Sequence, residues 1–221
     1  MARRIDLWTT LTAPLVSQNP VTLQILGLCS ALAVTTSLAT ALTMSASLTV
    51  VLTLAAGAIS TLRRFIPETI RLIIQIIVIA SLVIVIDQIL QAYFIEMSRA
   101  LSVFVGLITT NCLVLGRTEA YARHHRPLAA MTDALGNGLG YSLVLVVIGA
   151  IRELVGKGEL LGFVVLPSVD AGGWYTPMSF MLLAPAGFFL LGGLVWAIRT
   201  VLPEQAEDPE FSSPLPREGV E

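Results

Sequence analysis

Two cysteines, Cys29 in "LGLCSALAVT" and Cys112 in "ITTNCLVLGR", are the only thiols in the chain, and each sits inside an apolar stretch. Three chemistries suit such a pair. Each thiol can pack as a small hydrophobe. The two can join as a disulfide, which ranks low because thiols deep in an apolar layer have poor access to oxidant and exchange partners. They can also bind a metal as thiolates, the donor type suited to iron–sulfur clusters, zinc or copper. Two cysteines do not complete a four-thiolate site, and His124 and His125 lie in the basic loop "RHHRP", away from the apolar stretches. A metal site here therefore needs a second polypeptide, or a second copy of this one. A buried thiolate cluster is anionic and costs several kcal/mol in a low-dielectric interior unless offset. Inward-pointing helix amino termini, with their unpaired N–H groups, supply such an offset.

The elements that must position these thiols follow from composition. Of 221 residues, 55% are apolar and only 13% charged, which is membrane-protein composition. Six apolar stretches stand out, at 21–36, 38–62, 70–94, 101–115, 135–154 and 178–201. A helix needs roughly 20 apolar residues to cross a core of about 30 Å, so four of the six span comfortably. The two short ones, the first and the fourth, carry the cysteines. Gly27 and Asn111, beside Cys29 and Cys112, are natural points for a helix to stop or unwind. The expectation is an all-α integral membrane protein of six transmembrane helices, with helices 1 and 4 short or broken at the cysteines.

The first 20 residues contain no long apolar run, so residues 1–20 read as an uncleaved cytoplasmic arm at the membrane surface, followed by a membrane domain over 21–202. Residues 203–221 form an acidic, proline-rich tail too polar to bury. A net charge of −2 argues against nucleic acid as a partner. With a cytoplasmic amino terminus, Arg3, Arg4, Arg63, Arg64, Arg71, Arg117, Arg123, Arg126, Arg199 and Arg217 fall inside, and Arg99, Arg152 and Lys157 outside. This asymmetry places both termini in the cytoplasm. Trp174 and Tyr175 then mark the outer interface and Trp196 the inner one.

The two halves are alike. "TALTMSASLTVVLTLAAGAI", from Thr40, aligns with "DALGNGLGYSLVLVVIGAI", from Asp133, and a cysteine segment precedes each. Three crossings per unit make the second unit enter in the opposite sense, an inverted 3+3 repeat over about 21–95 and 101–202. In such repeats the working centre lies near the midplane, which would bring the two thiols to one point. "GNGLG" at 136–140 opens a membrane span with no strand before it, so it reads as close helix packing and not as a nucleotide loop. Thr40, Thr43, Ser45, Ser47, Thr49 and Thr53 read as a helix contact face. "RELVGKGEL" at 152–160 reads as an outer helix end with local pairing of Arg152 and Glu153. Carboxylates within spans are expensive and usually functional. Asp87, late in an outward-running span, and Asp133, at the start of another, are candidates for an ion path, against the plainer reading of interfacial acids paired with an arginine or a partner chain.

The stretches "LGLCSALAVTTSLATAL", "IASLVIVIDQILQAY", "LSVFVGLITTNCLVLGRTEAYA", "GNGLGYSLVLVVIGAIREL", "GGWY" and "MLLAPAGFFLLGG" together cover roughly residues 19–205. Over that length the chain resembles the Nqr/Rnf D/E family of membrane subunits, found in the sodium-translocating NADH:quinone oxidoreductase of bacterial inner membranes and in the Rnf complex. "RTEAYA", "DQILQAY" and "GGWY" side with the D branch. The resemblance implies a six-helix protein facing a homologous E subunit of opposite orientation, each giving two cysteines to a shared iron–sulfur centre, expected as [2Fe–2S]. Cys29 and Cys112 are the matching ligands. It further implies the A, B, C and F subunits as partners, electron transfer from a cytoplasmic NADH-oxidising protein towards a flavin and then quinone, and sodium export. No stretch matches a nicotinamide, flavin or quinone site, so no flavin is expected on this chain, which would not be catalytic alone. An Rnf-type electron-transport subunit, a secondary ion transporter without metal, and an assembly scaffold are the competing readings.

Overall fold

The computed structural model describes residues 14, 19–21, 24–63, 66–93, 106–161, 163–164, 176 and 178–201. Among these, six α-helices have both ends described: α1 (Leu28–Val34), α2 (Leu38–Leu62), α3 (Arg71–Tyr93), α4 (Cys112–Arg117), α5 (Pro127–Lys157) and α6 (Ala184–Val201); residues 106–109 are helical as well. A π-helical turn, Thr118–Ala122, continues α4; short 3-10 turns, Glu68–Ile70 and Ser179–Leu182, lead into α3 and α6. A two-residue antiparallel ladder between Glu159–Leu160 and Phe163–Val164 follows α5.

Helices α2, α3 and α5 are long and apolar enough to cross a membrane, whereas the apolar run Ala184–Thr200 is shorter. At 1.5 Å per residue α2 extends about 37 Å, more than a hydrocarbon core of about 30 Å. The expected fourth full-length span, 178–201, is broken at Leu183, which has extended backbone between the 3-10 turn and α6. Pro185, at the second position of α6, suits a helix start and cannot donate a backbone bond to a preceding turn. Pro127 likewise opens α5, and Gly158, left-handed at φ 74°, closes it with its N–H on the Leu154 carbonyl.

The central layer is the antiparallel pair α2 and α5. Ala41 meets Gly149, Thr49 meets Gly138 and Ser142, and Gly57 meets Met131. A Cβ on Gly138 would stand 2.8 Å from Thr49, so only glycine allows this approach. The "GNGLG" run thus packs helices, as its composition predicts. Thr43, Thr49 and Thr53 return their hydroxyls to carbonyls one turn back in α2. Ser45, Ser47 and Thr53 are buried, in keeping with a contact face. Helix α3 packs against α2 but leaves Leu72, Ile73, Ile77, Ile84, Val85 and Ile89 more than half exposed. In a membrane protein such a face meets lipid or another protein.

The first cysteine segment is short and broken, as expected: among its described residues helix runs only over Leu28–Val34, and Ile25 (φ 54°) and Gly27 (φ 82°) are left-handed and interrupt it. A further expectation changes. The described part of the amino-terminal arm does not lie on the surface: Asn19 is buried and donates from Nδ2 to the Gly140 carbonyl at 3.0 Å, and the Pro14 carbonyl sits where a Cβ of residue 140 would be. The rest of the arm, the 203–221 tail, and Trp174 and Tyr175 lie outside the described residues. Trp196 is exposed, consistent with an interfacial aromatic.

Candidate cysteine site

Both short helices have their cysteine in the first turn: α1 begins at Leu28, one residue before Cys29, and α4 at Cys112 itself. Gly27 precedes α1 in the left-handed region, where glycine alone avoids a Cβ penalty, and a Cβ there would also stand 2.8 Å from the Tyr141 ring. Asn111 precedes α4: the helix at 106–109 ends, Asn111 turns to ψ 122°, and its side chain accepts from the Leu113 N–H as an N-cap. Cys29 and Cys112 therefore lie in the first turns of two helices, where unpaired N–H groups favour negative charge.

The two breaks meet. The Gly27 N–H donates to Cys112 Sγ at 3.0 Å. Gly27, Cys29, Ser30, Leu107, Thr110, Asn111 and Cys112 line one small cleft of about 50 Å³. Cys29 is exposed and Cys112 half-buried. Behind them runs a polar chain that sequence reasoning missed: Asn111 Nδ2 donates to Ser30 Oγ at 2.8 Å, the Ser30 and Tyr141 hydroxyls share a hydrogen bond of 2.7 Å, and Ser30 Oγ also donates to the Gly27 carbonyl. Tyr141 is fully buried on α5. Only its place among small residues in "GLGYSL" hinted at a fixed role.

The far ends of the short segments are held from α5 and α2. Arg152, completely buried, does not pair with Glu153 as expected. It donates to the carbonyls of Leu32, Met181, Leu182 and Leu183 and to Thr35 Oγ1, at 2.6–3.1 Å. Glu153 instead accepts from the Leu38 N–H at 2.6 Å, at the amino terminus of α2. Neighbouring helical residues point about 100° apart and do not face each other. The arginine thus meets the carbonyl-rich end of α1, and the glutamate the N–H-rich start of α2. Arg152 is consequently no loop charge and drops out of the count of basic loop residues. In the other half, Ser60 and Arg63, at the end of α2, donate to the His125 carbonyl after the π turn, and Arg63 also to that of Arg123.

Of the two carboxylates expected on an ion path, Asp133 is buried in a bidentate ion pair with Arg117. Asp87 keeps only a local bond, from Gln91 Nε2 to Oδ2 at 2.7 Å, and its buried Oδ1 has no hydrogen-bond partner among the described residues. The structure does not bring Asp87 and Asp133 to the cysteines. Glu119, on the π turn, pairs with Arg71 at 2.8 Å and Arg123 at 3.1 Å and accepts from Gln75. Burial pushes its carboxyl upward, but the Gln75 bond and the two guanidiniums outweigh this and hold it below the usual range.

As a metal site the donor set is half complete. Among the described residues no three His, Cys, Asp or Glu side chains gather within reach of one ion. Two cysteine sulfurs on a shared, open cleft fit a centre whose remaining ligands come from elsewhere, and the described residues supply no closed four-ligand site.

Comparison with known proteins narrows the field. A family model described as "Rnf-Nqr subunit, membrane protein" matches residues 7–195. The chain is 50% identical to a protein of Psychromonas ingrahamii named as the D subunit of Na(+)-translocating NADH-quinone reductase, over 95% of this chain and all of that protein. Proteins of the same name from Photorhabdus laumondii and Yersinia enterocolitica are 52% and 53% identical, each over 94% of this chain and 99% of the relative.

Proposed function

Because the chain belongs to the Rnf-Nqr family of membrane subunits, we propose that it is the D subunit of a sodium-translocating NADH:quinone reductase, and that Cys29 and Cys112 hold one half of an intramembrane iron–sulfur centre completed by the homologous E subunit. The observation that carries this reading is the single cleft onto which both cysteines open, each from the start of a broken helix. A [2Fe–2S] centre there would supply a one-electron redox site inside the apolar barrier. The chain's own groups have definite tasks. The Gly27 N–H stabilises negative charge on Cys112 Sγ, Asn111 and Gly27 fix where the helices start, and the Ser30–Tyr141 bond ties both to α5.

We read the six helices as an inverted repeat, α1–α3 against α4–α6. Support comes from contacts that recur across the aligned halves. Gly57 on Met131 is mirrored by Gly149 on Ala41 and Leu38, and Ser60 on the His125 carbonyl is mirrored by Arg152 on the Leu32 carbonyl. The A, B, C, E and F subunits of the complex and the lipid of a bacterial inner membrane are the partners in this reading, with both termini cytoplasmic.

For the sodium route, Asp87 is the stronger candidate, since the charge of Asp133 is already matched by Arg117. Iron and acid-labile sulfide analysis of the purified complex, with electron paramagnetic resonance on reduction, tests the central claim. Cys29→Ser or Cys112→Ser should remove the signal and quinone reduction while NADH oxidation by artificial acceptors survives. An assembled Cys29→Ser complex with unchanged signal and quinone reduction would leave a scaffold or a metal-free transporter as the better account.

A further inference from the structure

Away from the cysteines, a second cleft of about 240 Å³ opens between the end of α2 and the start of α3, lined by Ile59, Arg63, Ile66, Arg71, Gln75 and Arg123. Three guanidiniums converge on it, while Glu119 is the carboxylate that pairs with two of them. Gln75 is 2% exposed; its Nε2 donates to Glu119, which leaves Oε1 buried without a hydrogen-bond partner among the described residues. Among the described residues the cleft therefore carries more guanidinium than carboxylate charge, and Gln75 on its wall keeps an acceptor that no donor fills. Arg63 follows the last residue of one span and Arg71 opens the next, so the cleft lies at the level of a membrane surface. Directly beyond it Leu72, Ile73, Ile76 and Ile77 form an exposed apolar track along α3.

We infer that this cleft binds an anionic phospholipid whose headgroup carries a hydroxyl, such as phosphatidylglycerol. The phosphate meets the arginines, the headgroup hydroxyl donates to Gln75 Oε1, and the acyl chains lie on the α3 track. A free phosphate would use the arginines but neither the track nor the need for a hydroxyl. A partner's acidic segment would use the charge without requiring apolar residues below it. The inference does not depend on the metal reading of the cysteines.

The test uses the intact complex, stripped of lipid with detergent and then given phosphatidylglycerol vesicles, phosphatidylcholine vesicles, or phosphatidylcholine vesicles with inorganic phosphate. Native mass spectrometry should find one phosphatidylglycerol fewer on Ile66→Glu than on the unaltered complex, and at least tenfold weaker retention at that site. Ile66→Glu removes no hydrogen bond but adds a carboxylate at the cleft. Gln75→Leu should keep the lipid but lose the preference for phosphatidylglycerol over phosphatidic acid by several-fold. Equal retention by the unaltered and Ile66→Glu complexes overturns the inference. So does equal thermal protection by inorganic phosphate alone, or cross-linking of an Ile66→Cys complex to protein in place of lipid.

Discussion

The two cysteine helices do the same job with different supports. Helix α1 depends on distant help: a left-handed glycine starts it against the Tyr141 ring, and Arg152 from α5 holds its far end. Helix α4 is largely self-supporting, since Asn111 caps it in place and a π turn carries it onward. A local cap is specified by one residue and its neighbours, whereas a remote clamp requires the whole bundle to be assembled. Cys29 is accordingly a tertiary product and Cys112 mostly a local one.

The sharpest way to break this contrast is Arg152→Leu. It orphans buried carbonyls that each cost about 1–3 kcal/mol, so a loss on the order of 4 kcal/mol is expected, read as a large fall in the melting temperature of the purified complex. Maleimide labelling should rise at Cys29 far more than at Cys112; equal rises at both would dissolve the distinction. Gly27→Ala comes next, since a left-handed alanine costs about 1–2 kcal/mol before its clash with Tyr141 is counted. Because Gly27 also donates to Cys112 Sγ, this change should disturb both thiols and mark where the two supports join. Asn111→Ala should cost about 1 kcal/mol by loss of the cap, and Asn111→Asp should restore most of it by keeping the acceptor for the Leu113 N–H.

The smallest effect concerns pH and belongs to the α4 side alone. The lowered Glu119 carboxyl favours its charged form in the folded chain, so its contribution is present above the ordinary value of 4.5 and fades as pH falls through the lower folded value. Glu119→Gln should flatten the acid limb of a stability–pH profile between that folded value and 4.5, and leave Cys29 labelling unchanged.

Much of this was legible beforehand because it depends on residue type. Glycine and asparagine beside cysteines in short apolar stretches are places for a helix to stop or unwind, and glycines opening a span with no strand before them favour close packing over a nucleotide loop. What stayed hidden depends on direction and distance. Arg152 and Glu153 looked like a pair because they are adjacent, yet the helical twist sends them to opposite helix poles. The break at Leu183 lies within a stretch read as one apolar span from 178 to 201 despite Pro185, and the guanidinium that takes up the three carbonyls there comes from a residue some thirty positions away. The role of Tyr141 needed the fold, since its partner Ser30 lies 111 positions away and is itself bonded to Asn111 from the other half of the chain.

Arg152 also bears on biosynthesis. Its acceptors are split between Leu32 and Thr35, made long before it, and Met181 to Leu183, made after it. A charged residue in a newly inserted span is costly until it is solvated by protein, so α5 leaves the insertion machinery with that guanidinium only half accommodated. Nascent chains halted before residue 181 should therefore remain extractable or protease-sensitive, and should become settled only once the final segment has followed.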